Sequence, residues 1–469
     1  MTFNSLPFLV FATIFFTIWP LMRRNDQTRW GFLTFASFIF YGWWDWRYTL
    51  LLAANGFLDY GVGRLMETLP RQKKRLLITS IMANVGTLAA FKYTGFLAQI
   101  TNAVLTPATG MSVPVIALAL PIGISFYTFH SMSYVIDVYR DDVKPTHSVL
   151  HFFAYLTMFP HLVAGPIIRG AEMLPQLRHA VTPTEPQRWE GTSWIAYGFF
   201  KKMVIADNIA PVVNAAFGGA HPVKSLPYWW IVVILFAVQI YCDFSGYSDI
   251  ACGLARWLGY EFPRNFNHPY IATSLRDFWT RWHISLSTWF RDYVYIPLGG
   301  RGDSARAWHM NMWITMLLSG LWHGAAWRFL VWGGLHALYR SLERISRWPE
   351  RLAGTSVGRS VAMLLTLGQV LVAWVFFRAV DMPQALAVVS EMFNPAHMSW
   401  APLAGLTQPV IAFVTLGVLR EVLLAGRLGE RVASLMDRWT PLEPVLIVAV
   451  LVATVFWRGE GNVFIYFQF

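Results

Sequence analysis

Charge is what this sequence has least of. Only 13% of its 469 residues are Asp, Glu, Lys or Arg, where a soluble chain carries about 25% to cover its surface. The missing charged surface is most simply surface that faces lipid, and a hydrophobic content of 55% points the same way. Cysteine is nearly absent. Cys242 and Cys252 lie in one apolar run, which fits neither a disulfide framework nor a zinc site. Also lacking are an HExxH, a clustered Cys/His pair, a P-loop, and a GxGxxG or GxSxG in a strand–helix setting, so no metal and no bound cofactor is expected. There is no internal repeat or flexible linker, which predicts one integral-membrane domain over 1–469. The opening "MTFNSLP" has no basic residue, and Arg23 and Arg24 follow the first apolar stretch. That order predicts an uncleaved first helix with its N-terminus outside.

The charges present are arranged in short loops between apolar segments. A net charge of +11 without a long basic run or a basic domain argues against nucleic acid and for loops that orient a membrane protein. Loops holding Arg23, Arg24 and Arg29, then Arg71, Lys73, Lys74 and Arg75, then Arg344, Arg347 and Arg351, then Arg427, Arg431 and Arg438 are expected in the cytoplasm. Loops 99–112 and 381–407 contain no Lys or Arg and are expected on the other side, which leaves both termini external. Aromatics make up 16% of the chain, with 23 Trp, as interface belts and packed spans require.

Apolar stretches long enough to span run near 6–21, 76–98, 113–137, 192–217, 228–258, 308–340, 360–380, 408–424 and 441–457. Residues 32–60 are too long for one span and break at "WWDWR" into two. The fold class is therefore an all-α polytopic membrane protein of about eleven or twelve transmembrane helices. Residues 261–307 are too polar to span. Within them "SLRDFWTRWHISLSTWFRDY" predicts an amphipathic helix at the cytoplasmic interface or folded part way into the bundle. Residues 152–170, broken by Pro160 and Gly165-Pro166, predict a re-entrant segment, because irregular backbone at membrane depth needs protein or water around it.

Polar groups in these apolar surroundings are the candidate chemistry. His323 sits mid-way in "LSGLWHGAAWRFLVWGGLHA". Gly320, Gly324, Ala325 and Ala326 leave room beside its ring for a substrate or a close-packed helix, and Trp322 and Trp327 are placed to wall a tunnel. Desolvation favours the neutral imidazole that a general base needs. His283, in an Arg-rich interfacial segment, suits a structural or a functional role equally. Asp243 and Asp249 in "IYCDFSGYSDIACG" must be paired, protonated or facing a cavity, and a histidine or arginine is the expected partner of Asp243. Arg276, Arg281 and Arg291 fit the phosphates of an anionic carrier and equally fit a cytoplasmic membrane surface. His130, His161 and His336 read as structural or lining.

The blocks "FYGWWDWRYTLLL", "LPIGISFYTFHSMSYVIDVYR", "FPHLVAGPIIRG", "KKMVIADNIAP", "QIYCDFSGYSDIACGLARWLGYEFPRNFNHPY", "SLRDFWTRWHISLSTWFRDYVYIPLGG" and "LSGLWHGAAWRFLVWGGLHA" resemble, in order and over nearly the whole chain, the membrane-bound O-acyltransferase family. They are most similar to its bacterial alginate O-acetyltransferase-like branch, as is the terminal "FIYFQF". The resemblance implies helices around a central tunnel, with the acyl donor entering from the cytoplasm and the acceptor hydroxyl from the other side. It implies catalytic roles for His323 and His283 and a supporting one for Asp243. In that frame Trp322, Trp279, Trp282, Arg281 and Arg276 become candidates for the tunnel or for donor binding.

The expected reaction moves an acetyl group from a cytoplasmic thioester, acetyl-CoA by preference, to a hydroxyl for exopolysaccharide O-acetylation. A separate periplasmic acetyltransferase partner is expected to pass it to the polymer, because no soluble domain here is able to hold a long polysaccharide. The tail after Trp457 and the Lys-free loops are the surfaces expected to dock that partner. Two alternatives stand beside this reading. One is D-alanyl transfer for teichoic acid modification; the other is a transporter, which would show paired broken helices in two halves where only 152–170 is visibly broken.

Overall fold

The computed structural model describes residues 1–116, 118–179, 182–219, 221–302, 304–401, 415 and 443–467. Every described regular element is a helix. The predicted span at 408–424 and the loop with Arg427, Arg431 and Arg438 lie outside the described residues. The chain forms two compact units, one of residues 1–192 with 250–263 and one of residues 193–249 with 264–469.

The first unit begins with α1 (Leu6–Met22), α2 (Asp26–Gly42) and α3 (Arg47–Thr68). Ser5 and Asn25 cap the first two by accepting backbone N–H bonds, which satisfies donors the helix itself leaves open. The chain breaks between α2 and α3 at residues 43–46, as "WWDWR" predicts. α4 (Lys73–Lys92) then bends by 67° into α5 (Thr94–Thr109), so most of the predicted loop 99–112 is helical. α6 (Ile124–Tyr139) packs on α3 and α4, and the three are tied together by Asp59. Its carboxylate accepts from Ser80 Oγ (2.5 Å), Asn84 Nδ2 (2.8 Å) and Ser131 Oγ. A fully buried acid is thereby satisfied by three donors from two other helices. α7 (Val149–Leu156), the single turn α8 (Phe159–Leu162) and α9 (Gly170–Leu177) are separated by irregular backbone that is entirely buried from Met158 to Ile168, as a re-entrant segment requires. His161 and His130 meet there, ring nitrogen to ring nitrogen at 3.3 Å, and His161 also bonds the Tyr155 carbonyl, so both serve the fold.

The second unit takes over within α10 (Glu185–Phe199). A wide π turn, Phe200–Ala206, comes next and leads into α11 (Asp207–Gly218) and then α12 (Leu226–Leu258). The predicted amphipathic helix at 274–293 is not continuous. It splits into α13 (Leu275–Trp279) and α14 (Ile284–Phe290) around His283, whose φ of 43° no helix interior accommodates. α15 (Ala305–His323) and α16 (Trp327–Ser346) form a tight antiparallel hairpin. α17 (Trp348–Leu352), α18 (Ser356–Arg378), α19 (Met382–Met392), which occupies part of the predicted loop 381–407, and α20 (Glu443–Phe456) complete the unit.

Two described helices are each long and apolar enough to cross a bilayer, α12 and α18, and the bent α4–α5 pair makes a third. Apolar stretches of the sequence become shorter helices, as at α1 and α20, or helices whose polar residues pair inside the bundle, as at α3 and α6.

Candidate active site

His323 is the last residue of α15, and the hairpin's small residues decide what surrounds it. A Cβ on Gly320 would come within 2.3 Å of the Phe329 carbonyl oxygen, and one on Gly333 within 2.3 Å of the Met316 oxygen. A Cβ on Gly324 would strike the Phe329 ring. The glycines therefore serve close helix contact, not space for a substrate. The His323 ring is buried among Trp322 (4.8 Å between centroids), Trp332 (4.9 Å), Phe377 (5.2 Å) and Tyr466 (5.8 Å). Trp327, expected to wall a tunnel with Trp322, is 56% exposed.

His283 is brought to the same aromatic cluster. It stacks on Tyr466 (6.3 Å, 9° between planes) and lies 6.2 Å from Trp322 and 4.6 Å from Phe244. Its left-handed backbone, which costs about 1–2 kcal/mol outside glycine, is held by Asn265. That amide oxygen accepts from Ser285 N (3.3 Å) and Ser285 Oγ (2.9 Å), the Asn265 carbonyl accepts from Ile284 N (2.9 Å), and Nδ2 donates to Ser248 Oγ (3.2 Å). A strained backbone fixed this firmly is typical of a functional position.

Asp243 is paired by neither a histidine nor an arginine. Its partner is Lys202, 2.7 Å from Oδ1, and the same ammonium reaches Asp207 (2.9 Å) and the Asn462 carbonyl (3.1 Å). Lys201, the neighbouring residue, pairs instead with Asp249 (2.5 Å) and Ser245 (2.9 Å). Both lysines lie in the π turn, whose widened spacing turns consecutive residues into the protein.

The segment after Trp457, expected to be an exposed docking surface, is folded into this site. Gly459 N donates to the Met203 carbonyl (2.9 Å), Asn462 Nδ2 to that of Asp207 (3.2 Å), and Ile465 N to Asp243 Oδ2 (2.8 Å). Phe464 and Ile465 are 3% and 2% exposed. These bonds set Tyr466 against both histidines, more than 140 residues away in sequence.

A cavity of about 900 Å³ occupies the far end of the α15–α16 hairpin. Arg276, Arg291, Arg301, Arg340, Arg344 and Arg347 line it, against the acids Glu343 and Glu350. Trp279 belongs to its wall; Arg281 does not, being held by Asp277 (2.7 Å) and the Asn267 carbonyl. Trp282 is core, 1% exposed and packed on Phe266, Phe278 and Trp374. His336, also buried, lies against Trp279 and Trp332. α15 shows the cavity Trp308, Met312, Thr315, Met316 and Ser319, one face at helical spacing. The next position on that face, four residues beyond Ser319, is His323.

A family model described as "membrane-bound O-acyltransferase family" matches residues 38–380. The chain belongs to the membrane-bound O-acyltransferase family. This acyltransferase is 38% identical over 402 residues to "Probable alginate O-acetylase AlgI" of Pseudomonas aeruginosa, covering 84% of this chain and 75% of that protein. A protein of the same name from Pseudomonas putida aligns over the whole of both chains at 35% identity. The "Peptidoglycan O-acetyltransferase" of Helicobacter pylori is 35% identical over 77% of this chain and 73% of its own length. The acyltransferase is thus an enzyme, a helical membrane protein by family and by composition, and its aromatic site lies inside the matched region except for the segment that carries Tyr466.

Sequence reasoning missed Lys201, Lys202, Asn265 and Tyr466. The adjacent lysines inside the apolar run "GFFKKMVIADNIAP" were the available signal for the first two, since neither charge is left in such a run without a partner.

Proposed function

We propose that this enzyme carries an acetyl group from a cytoplasmic thioester, acetyl-CoA, to an acceptor hydroxyl on the opposite side of a bacterial inner membrane for polysaccharide O-acetylation, both units serving one catalytic domain. One observation carries the reading: His323 continues the α15 face that lines the arginine-walled cavity. Arg276, Arg301, Arg344 and Arg347 suit the phosphates of a nucleotide-bearing donor, while Arg291 and Arg340 are paired with Asp292 and Glu343. The cavity wall at Thr315 and Ser319 suits a thin thioester arm reaching toward the histidine.

In this mechanism the acceptor oxygen attacks the thioester carbonyl carbon while His323 takes its proton. The carbon–sulfur bond then breaks, and the thiolate leaves with the proton carried by the imidazolium. General-base help is worth about 10²–10⁴ in rate, and His283 adds orientation of the substrate or support for the developing oxyanion. The names of the alginate and peptidoglycan relatives support a polysaccharide as the final acceptor, and a periplasmic partner protein completes delivery to the polymer.

The test is His323→Ala, assayed by polymer acetylation in cells and by thioester cleavage with purified protein and acetyl-CoA. Both are expected to fall at least a hundredfold while the protein accumulates normally in the membrane. Near-normal acetylation would sink the assignment.

A further inference from the structure

A second cavity, of about 480 Å³, lies on the first unit. Its wall is Phe16 of α1, Trp257 near the end of α12, and Glu185, Arg188, Trp189 and Thr192 of α10. The α10 residues fall at i, i+3, i+4 and i+7, one stripe of the helix. That stripe is fixed against α12, because a Cβ on Gly191 would come within 2.9 Å of the Gly253 carbonyl oxygen and the two backbones touch there. The Trp257 indole N–H is shared between the Arg188 carbonyl and Thr192 Oγ1, each at 3.2 Å, and its ring meets Phe16 edge-on at 5.3 Å. Trp189 is left 41% exposed.

The rings make the groove apolar, and Glu185 and Arg188 put one charge of each sign on it. Both are exposed, and neither forms an ion pair with any described residue. Arg256 of α12, by contrast, is already matched by Glu190 (3.4 Å) and Glu261. Phe16 lies seven residues before Arg23, about 10 Å of helix, and Arg23 belongs to a loop expected in the cytoplasm. Half of the hydrocarbon core is about 15 Å thick, so Phe16 stands at the depth of the cytoplasmic leaflet's acyl chains.

We propose that this groove binds one phospholipid of that leaflet with a primary ammonium headgroup, of the phosphatidylethanolamine type. An acyl chain lies against Phe16, Trp189 and Trp257. The phosphate takes the Arg188 guanidinium, and the ammonium, two carbons beyond the phosphate ester, reaches Glu185. Side chains three residues apart on a helix have Cβ atoms about 5–6 Å apart, which matches the short span between those two headgroup charges. A choline headgroup has no N–H to donate to Glu185, and a glycerol headgroup leaves that carboxylate beside a phosphate. The site is independent of the acetyl-transfer reading.

Native mass spectrometry of the full chain, purified in detergent and titrated separately with dioleoyl phosphatidylethanolamine, phosphatidylcholine and phosphatidylglycerol, tests this. The first ethanolamine lipid should bind about fivefold tighter than the first of either other lipid, the upper range for an exposed ion pair. Glu185→Gln should abolish that preference and leave phosphatidylcholine binding unchanged. Arg188→Gln and Trp189→Ala should weaken all three lipids, with Arg188→Lys close to the unsubstituted protein. The substituted side chains are exposed, and unfolding midpoints check that the variants fold. Equal binding of the three lipids, tighter binding of phosphatidylglycerol, or ethanolamine-lipid binding unchanged in Glu185→Gln or in Arg188→Gln overturns the site.

Discussion

Replacing Lys202 by Met should be among the most damaging single changes in the second unit, and its cost can be worked from the geometry. The ammonium, on a residue 8% exposed, reaches Asp243 at 2.7 Å, Asp207 at 2.9 Å and the Asn462 carbonyl at 3.1 Å. Methionine keeps the length of the stem, so little packing is lost, but it leaves two carboxylates, 3% and 2% exposed, without their cation. Breaking a buried pair costs about 3–5 kcal/mol, and two stranded acids place this case toward the top of that range. A loss of about 4 kcal/mol lowers the ratio of folded to unfolded protein roughly a thousandfold. The midpoint of unfolding by SDS in mixed micelles, followed by tryptophan fluorescence, reports it. Lys202→Met/Asp243→Asn should recover at least half of the loss, because the amide oxygen still accepts from Ile465 N. Ile465 is 2% exposed, and Cys242 and Cys252 are buried, so Ile465→Cys reports through thiol labelling whether the segment after Trp457 has come loose. Labelling should be faster with Met at 202. A destabilisation below about 1 kcal/mol, or an Asp243→Asn change that adds to the loss, refutes the charge argument.

Two further outcomes are expected at the hairpin and the cavity. Gly320→Ala and Gly333→Ala each press a methyl onto a carbonyl oxygen and should lower stability by about 1–3 kcal/mol, whereas Gly334→Ala, with its nearest neighbours 3.9 Å away, should be tolerated; unfolding midpoints of the three variants decide it. Arg276→Gln and Arg344→Gln should raise KM for acetyl-CoA about tenfold, as loss of a charge-assisted hydrogen bond does, with kcat within about twofold, and initial-rate measurements at two salt concentrations check this.

The sequence made some of this legible and hid the rest for physical reasons. The break at "WWDWR" and the irregular 152–170 were readable because local chemistry, Trp, Pro and Gly at fixed places, dictates them. His323 and His283 were readable as ionisable groups in apolar runs, but what encloses them was not. The ring of Tyr466 reaches them from the far end of the chain, and Lys202 reaches Asp243 across 41 residues, contacts that no periodicity encodes. The glycines beside His323 misled in an instructive way. Small residues mark close approach, and whether a ligand or a helix does the approaching depends on the partner element, here α16. The amphipathic pattern at 274–293 was real, yet Asn265, outside that stretch, turns the backbone at His283 and divides it.

The wide turn at Phe200–Ala206 makes this part of the chain unusually sensitive to length. Consecutive residues of a regular helix point about 100° apart, so removing one residue here would tighten the π turn to ordinary helix and take Lys201 or Lys202 away from the acids they now reach, Asp249 on one side and Asp207 with Asp243 on the other. Substitutions that keep the chain length leave that phase untouched. Single-residue deletions in this stretch should therefore be lost from any pool of active variants well before most replacements at the same positions are.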